Sequence, residues 1–302
     1  MRGPNLGLIH DPIRKVLRPL LGVPGAAVLG DPLPLDFAVE MAAIAPSGSF
    51  ALLRASGAPD LRLMRSTSEG HLVHSIGGAL EDADRIVLGS AAWSAAAYNS
   101  ASRRLQLLRG LPWEPEVTRE IDISAFDGVV TALAVSDDGR NALVAFSTDE
   151  TSSVWIFAVD EDPKSILSAG RVVSISFTAG AADALIVDER HRVVYLMSAE
   201  NASTVVAGEA DGIEAPVAAQ SSRDRKFVFV AAAGNGRILI FNMEDGSRRE
   251  LTCPCSLQGL TRMSEEAVFR LGEASDGPMW LLDAASSEPR LVFVPPFRSE
   301  QE

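Results

Sequence analysis

Residues 129–146 read VVTALAVSDDGRNALVAF, two apolar runs joined by the polar turn Ser136-Asp137-Asp138-Gly139-Arg140. Asp and Gly supply the backbone conformations that a short hairpin turn needs. Two further strands are predicted after this hairpin, an apolar one at 154–159 and a shorter, more polar one at 165–168. The unit therefore reads as four consecutive antiparallel strands.

The unit recurs along the chain at a spacing of roughly 43 residues. The position of Ser136 is repeated at Ala45, Ser90, Thr178, Ser221 and Ser264. A period of about 40 to 45 residues with several short strands in each unit is typical of propeller blades. The middle strands, such as 227–231 and 238–241, are apolar at successive positions, which predicts sheets covered on both faces by neighbouring blades.

The first part of the chain departs from the repeat. Within residues 1–36, the segments 6–10 and 16–21 resemble the third and fourth strands of a unit without its first two. Residues 37–302 hold six complete units, and the strands of the last are predicted at 257–263, 267–271, 279–283 and 290–294. We predict an all-β fold: a β-propeller with seven blades, of which six are complete four-stranded blades and the N-terminal one is partial. A six-bladed propeller with an N-terminal hairpin is the alternative. Residues 1–36 are expected to be a partial blade or closure segment of the same single propeller domain as 37–302.

Composition and charge narrow the class of partner. Hydrophobic residues make up 47% and charged residues 22% of the chain, and no apolar run reaches the length of a membrane-spanning helix, so we expect no membrane insertion. The 27 basic and 40 acidic residues give a formal charge of −13, which repels polyphosphates and predicts no nucleic-acid partner. The pairs Arg103-Arg104 and Arg248-Arg249 are isolated and are interpreted as solvated charges. We expect a monomer whose partner is a protein or a small-molecule ligand.

The compartment and the state of the two cysteines are open at this stage. Residues 1–7 lack the apolar core and cleavage site of an export signal, so the protein is expected to be cytoplasmic if the chain is complete as given, and periplasmic or secreted if an upstream signal peptide was removed. Cys253 and Cys255 flank Pro254 and could form a disulfide, half of a metal site, or two packed thiols. In an extended chain their Cα atoms would lie roughly 6.5 to 7 Å apart, at the outer limit for a bridge, so we predict reduced thiols.

Several short motifs resemble those of a known group of repeat proteins. They are the strand 228–231, the turn Gly234-Asn235-Gly236, the strand 237–241, the turn Asp245-Gly246, and the turn at Ser136, which is similar to the S-P-D-G-R turn common in such blades. With these motifs the chain resembles the bacterial YVTN and WD40-like propeller repeat proteins over nearly its whole length. The run from 268 to 296 also looks like the end of uncharacterised bacterial propeller proteins, many of them exported. The resemblance implies a fold and no reaction.

The residues that usually carry chemistry are few and scattered. Of the four histidines, His10 falls in the partial blade, His71 and His74 lie on opposite faces of a predicted outer strand, and His191 lies in a turn. These positions predict no metal site. Trp93, Trp113, Trp155 and Trp280 have no fixed spacing, so the sequence does not support a quinone cofactor. The acidic clusters Asp149-Glu150, 160–162 and Glu265-Glu266 are interpreted as solvated loop charges.

Motifs for covalent catalysis and nucleotide binding are missing from the sequence as well. There is no G-x-S-x-G elbow, and no glycine-rich phosphate loop stands between a strand and a helix. Ser275-Asp276-Gly277 only faintly resembles a sialidase Asp box, and the sequon at Asn201 predicts a surface turn. We predict no catalytic, cofactor-binding or metal-binding residues. The predicted function is a non-enzymatic binding or scaffold protein that presents rim loops to a protein or small ligand; the alternative is a metal-dependent, lactonase-like propeller hydrolase with carboxylates in its channel.

Overall fold

A computed structural model describes residues 5–180, 182–263, 267–273, 277–286 and 288–296. Within these ranges the chain forms seven antiparallel sheets and one 3-10 helix, Glu209–Asp211. In each sheet, strands that are neighbours in sequence are also hydrogen-bonded neighbours. This meander is the topology of a propeller blade, and the fold is a seven-bladed β-propeller, as the sequence predicts.

The strands are numbered in chain order and grouped by blade. Blade 1 holds β1 (Asn5–Asp11), β2 (Val16–Leu21) and β3 (Val28–Leu29), and blade 2 holds β4 (Val39–Ile44), β5 (Phe50–Ala55), β6 (Leu61–Thr67) and β7 (Gly70–Ser75). Blade 3 holds β8 (Arg85–Leu88), β9 (Ser94–Asn99), β10 (Arg104–Arg109) and β11 (Glu116–Asp122), and blade 4 holds β12 (Val129–Val135), β13 (Asn141–Ser147), β14 (Ser152–Ala158) and β15 (Lys164–Ala169). Blade 5 holds β16 (Val172–Phe177), β17 (Ala184–Asp188), β18 (Val193–Met197) and β19 (Ser203–Ala207), and blade 6 holds β20 (Pro216–Ser221), β21 (Phe227–Ala232), β22 (Arg237–Asn242) and β23 (Arg248–Thr252). Blade 7 holds β24 (Thr261–Arg262), β25 (Val268–Arg270), β26 (Met279–Asp283) and β27 (Arg290–Val294).

The blades fall into two compact units. Blades 1, 2 and 7 belong to the unit made of Met1–Ile76 and Leu260–Glu302, and blades 3 to 6 belong to the unit Gly77–Gly259. In blade 4, which has the clearest sequence repeat, the predicted strand boundaries agree with the observed ones to within one or two residues. The strand predicted at 257–263 is wrong in length, because β24 covers Thr261–Arg262 alone.

Blade 1 has three strands, and its contacts show which strand is missing. β1 packs against β4 of blade 2 in the way that β13 packs against β16 and β17 against β20, each a second strand against the first strand of the next blade. β1, β2 and β3 therefore take the second, third and fourth positions, one more strand than the prediction allowed. No strand of the described residues pairs with the other edge of β1.

The core lies between adjacent blades, as the uninterrupted apolar runs predict. Between blades 3 and 4, the buried rings of Phe146 and Phe157 surround Phe126, whose centroid lies 5.0 Å from that of Phe146 and 5.2 Å from that of Phe157. In the other unit, Ile9 and Leu20 of blade 1 share a buried cluster with Leu281 of blade 7. Within each unit, adjacent blades thus exclude water from the faces that they share. No helix in the described part of the chain is long and apolar enough to cross a membrane.

Candidate binding surface

Buried polar residues end the second strand of several blades. Asp11, Asn99 and Asp188 each occupy the last position of β1, β9 and β17. In each case Oδ1 accepts a hydrogen bond from the backbone N–H three residues later, at 3.0 Å for Asp11, 2.8 Å for Asn99 and 3.1 Å for Asp188. The side chain replaces backbone pairing in a tight turn to the third strand. Sequence analysis missed this position because Asp and Asn are frequent in every turn of the chain.

Asp188 has the most complete set of partners. Its fully buried carboxylate accepts hydrogen bonds from the backbone N–H groups of Gly170 at 2.7 Å and Arg171 at 2.9 Å, and from the His191 ring Nδ1 at 2.7 Å. Burial alone would raise the pKa of Asp188, but the backbone donors Arg171, Gly170 and His191, with the His191 ring, outweigh it and hold the pKa below its ordinary value. The carboxylate therefore ties the crossover from blade 4 to the turn of blade 5.

Stability should depend on this carboxylate in acid. Because the folded pKa of Asp188 is lowered, its stabilising contribution is complete above about pH 4, where an unfolded aspartate ionises, and is lost as the pH falls through the folded value. We expect the urea midpoint of the wild type to fall steeply below about pH 4, and that of Asp188→Asn to fall less relative to its own value at pH 7. Asp149→Asn, which removes an exposed charge, is the control. Equal acid sensitivity of the wild type and Asp188→Asn would contradict this assignment.

The turn at Ser136 connects three blades through one carboxylate. Asp137 accepts hydrogen bonds from the Ala91 backbone N–H at 2.6 Å and the Ser90 hydroxyl at 3.0 Å, both in blade 3. The same carboxylate accepts the Gly180 backbone N–H of blade 5 at 3.0 Å. The turn at Ser136 is therefore structural, because it holds blades 3, 4 and 5 together. Trp93 and Trp113 lie at the same end of blade 3.

Two tryptophans stand out from this end of blade 3. The Trp93 and Trp113 residues are 66% and 75% exposed. The Leu111 backbone N–H donates to the Trp93 carbonyl oxygen at 3.2 Å, and the Trp113 N–H donates to the Gly110 carbonyl at 3.0 Å. These hydrogen bonds hold both tryptophan backbones in one short stretch of the surface. The sequence shows no sign of this, because the two residues are 20 positions apart and share no motif.

A cleft of about 270 Å³ opens between blades 3 and 4, and its wall residue Arg109 is the register partner of Ser94, the residue that follows Trp93. Its walls are Arg109, Glu116, Val117 and Thr118 of blade 3 and Asp138, Gly139, Arg140 and Val159 of blade 4. Gly139 has φ of +70°, and a Cβ there would lie 3.3 Å from the Cβ atoms of both Ser94 and Arg109. Glycine thus allows the two blades to approach closely. We call Trp93, Trp113 and the eight wall residues the tryptophan surface.

The rim of the tryptophan surface carries paired charges. Arg109 forms an ion pair with Glu116, and the Arg140 guanidinium lies 2.7 Å from an Asp160 carboxylate oxygen. All four side chains are more than half exposed, so these pairs add little to stability and are easily exchanged for contacts with a partner. The surface therefore combines apolar area with exchangeable charges of both signs.

A second cleft of about 270 Å³ lies between blades 4 and 5. Leu143, Ile156 and Phe177 form part of its apolar floor, and Glu161 and Lys164 lie at its rim. Glu161 and Lys164 form an ion pair with each other. The apolar floor residues belong to the buried cluster between blades 4 and 5, so core packing explains why they are apolar. The described residues of its lining include no exposed aromatic side chain.

The histidines lie where the sequence places them. His10 is in β1, where its ring Nε2 donates to the Val39 carbonyl oxygen at 2.9 Å, and His71 and His74 are both in β7, an edge strand. His191 is in the turn after β17. In the ranges that the structure describes, no three His, Cys, Asp or Glu side chains are grouped as a metal ion would require.

The prediction of reduced cysteines is wrong. Cys253 and Cys255 form a disulfide, with Cα atoms 5.1 Å apart. The backbone bends at Pro254 just after β23 ends, so the extended spacing that the prediction assumed does not apply. Cys253 is buried and Cys255 is half-buried.

The interpretation of Arg103 needs correction, and two others lie outside the described ranges. Arg103 is not a solvated charge, since its guanidinium donates to the carbonyl oxygens of Ile123 and Gly128, at 3.2 and 2.9 Å, in the crossover to blade 4. Arg104 pairs with Glu120 at 3.0 Å on the surface. The acidic pair Glu265-Glu266 and the residues Ser275 and Asp276 of the Asp-box-like stretch lie outside the described ranges.

Comparisons with known proteins identify the fold and no family. No protein-family model and no curated protein matches the sequence, so the resemblance to YVTN and WD40-like repeats stays a prediction. A functionally unknown protein from Desulfotomaculum acetoxidans is similar over 96% of this chain and 99% of its own, with a TM-score of 0.64 and 12% identity. Hydrazine synthase from Kuenenia stuttgartiensis is similar over 97% of this chain and 96% of its own, with a TM-score of 0.57 and 11% identity. Virginiamycin B lyase from Staphylococcus aureus is similar over 86% of this chain and 84% of its own, with a TM-score of 0.57 and 9% identity. At these identities the similarity shows the propeller fold alone.

Proposed function

We propose that this protein is a non-enzymatic binding or scaffold propeller of the YVTN and WD40-like kind, and that the tryptophan surface contacts its partner. The observation that carries the proposal is the pair of exposed tryptophans, Trp93 and Trp113, whose backbones are each hydrogen-bonded to the segment Gly110-Leu111. Tryptophan is enriched among the residues that dominate binding energy at protein interfaces. Leaving two of them in water costs solubility unless a partner covers them.

The surroundings favour a protein segment as the partner. The cleft between blades 3 and 4 is wide enough for one or two side chains, and the ion pair of Arg109 with Glu116 offers both signs of charge at its edge. The formal charge of −13 attracts cationic partners at long range and repels acidic ones. The proposed partner is a segment with an apolar side chain beside a basic residue, bound by the protein as a monomer.

Replacing both tryptophans should abolish capture without unfolding the protein. We expect a Trp93→Ala/Trp113→Ala variant to bind the partners of the wild type at least about tenfold more weakly, because each side chain acts as an anchor. The readout is capture from the native organism, then a titration of the purified partner with both proteins. Binding to the wild type should also weaken with salt.

The control variant is Val129→Ala/Val205→Ala, which removes two other exposed apolar side chains. It should retain every partner, and both variants should unfold at the temperature of the wild type. A double tryptophan variant that binds the same partners with the same affinity would refute the assignment of this surface.

A further inference from the structure

A third cleft lies in the unit that holds blades 1, 2 and 7. Its volume is about 100 Å³, and it is bordered by His10 of β1, Ile44 of β4, Thr261 and Arg262 of β24, Arg270 of β25, and Glu273. β1 borders the cleft at its free edge, which pairs with no described strand. The cleft thus occupies the place next to β1 where a first strand of blade 1 would run.

The position of Arg270 is apolar in the other complete blades. In blade 7 the first strand pairs with the second so that Arg270 lies opposite Thr261. The first and second strands of the other complete blades pair in the same register. Counted from the turn, the equivalent residues are Leu52, Ala96, Leu143, Leu185 and Phe229, all buried. Blade 7 therefore has a cationic side chain at the position where blades 2 to 6 have buried apolar side chains.

Arg270 is incompletely paired in this position. The residue is 9% exposed, and its one carboxylate partner in the described ranges is Glu273, whose two oxygens lie 3.4 and 3.5 Å from Nη2 and whose side chain is 64% exposed. The buried Nε atom of Arg270 has no hydrogen-bond partner. Burial lowers the pKa of Arg270, although the nearby Glu273 raises it in part. A buried guanidinium with an unused donor is costly unless an anion completes its pairing.

Other groups around the cleft suit an anion. The Arg262 guanidinium lies over the Phe269 ring, 4.8 Å from its centroid, and its residue borders the cleft. The hydrogen bond from His10 Nε2 to Val39 fixes the ring, and the Thr261 residue adds a hydroxyl. Among the described residues that border the cleft, Glu273 is the one acid.

We propose that this cleft binds a carboxylate group through Arg270. A carboxylate matches the side of the guanidinium that presents Nε and Nη2, and can accept from both in a two-pronged pair. The volume admits a carboxylate on a short aliphatic stem, whose carbons meet the apolar walls formed by Leu8, Ile44 and Met263. This inference is independent of the tryptophan surface and adds a ligand site on another blade.

The carboxylate has two possible sources, a free small acid or a glutamate of a peptide chain. Residues 297–302, which lie outside the described ranges, include Glu300 and Glu302 in their sequence. The experiment therefore needs one arm for each source.

The test is thermal unfolding in the presence of succinate, at constant ionic strength. If a free acid binds, saturating succinate should raise the Tm of the wild type by about 3 °C or more. If the chain's own glutamates fill the cleft, the wild type should show no shift and the Glu300→Gln/Glu302→Gln variant should gain it. No shift in either protein would overturn the proposal, and so would a larger shift with inorganic phosphate.

The matched variants separate the site from general salt effects. In either arm, Arg270→Leu should abolish the shift while folding normally, because leucine fills this position in blades 2, 4 and 5. Arg270→Lys, which keeps the charge and loses the two-pronged donor, should reduce the shift. Arg171→Leu, which removes an exposed arginine that pairs with Glu189, should leave the shift unchanged. A shift that persists in Arg270→Leu would also overturn the proposal.

Discussion

Replacing Asp188 by alanine is expected to lower the free energy of unfolding by about 3 kcal/mol or more. The substitution removes the acceptor of three backbone N–H groups, those of Gly170, Arg171 and His191, around a carboxylate that is fully buried. Each buried donor left without a partner costs about 1 to 3 kcal/mol. Urea unfolding followed by circular dichroism measures the loss as a lower midpoint with an unchanged slope.

Neighbouring substitutions show that the effect belongs to the carboxylate. Asp188→Asn should be milder, because an amide Oδ1 can still accept from the backbone N–H groups of Arg171 and His191, as Asn99 Oδ1 accepts from Ser102 in blade 3. Glu189→Ala removes the next side chain, which is half-buried and forms an ion pair with the exposed Arg171, and should change stability by less than about 0.5 kcal/mol. If Asp188→Ala were as mild as Glu189→Ala, the hydrogen bonds described here would carry no net stability.

Replacing Phe157 by alanine is expected to lower the free energy of unfolding by about 3 to 5 kcal/mol. The ring is fully buried between blades 3 and 4, where it meets Phe126 edge-on at a centroid distance of 5.2 Å. Both blades are built around it, so neither can close the resulting cavity without losing its own contacts. The measurement is again the urea midpoint, supported by the Tm.

The matched control for Phe157 is Phe293→Ala. Phe293 also lies in a strand and contacts an aromatic ring, that of Trp280, but nearly half of its surface is exposed. Its loss should cost no more than about 1 kcal/mol. A Phe157 variant as stable as the Phe293 variant would show that the space between blades 3 and 4 is not a packed core.

The architecture could be predicted because its signals are local. The Asp138-Gly139 turn and its repeats indicate hairpins, because they allow backbone conformations that few other residues adopt. The continuous apolar runs indicate strands that are buried on both faces of the sheet. The strands β26 and β27 agree with the predicted bounds, 279–283 and 290–294, for this reason. The position of β1 within blade 1 depends instead on its contact with β4, and no local pattern distinguishes a second strand from a third.

The candidate sites depend on contacts between distant parts of the chain. Trp93 and Trp113 become one surface only when the third strand of blade 3 folds back beside the second. Arg270 is unusual only when its register is compared with that of Leu143 and Leu185, which requires the first and second strands to be paired. The bend at Pro254 could not be inferred from spacing, because proline fixes its own φ but leaves the angles of its neighbours open.

The bridge between Cys253 and Cys255 spans a single intervening residue. A loop this short removes little conformational freedom from the unfolded chain, so the cross-link contributes little to holding the propeller together. The fold should therefore persist with the pair oxidised or reduced. Since Cys255 is only half-buried, thiols in the surroundings can reach it, and the oxidation state of the pair would then report the redox conditions in which the protein resides.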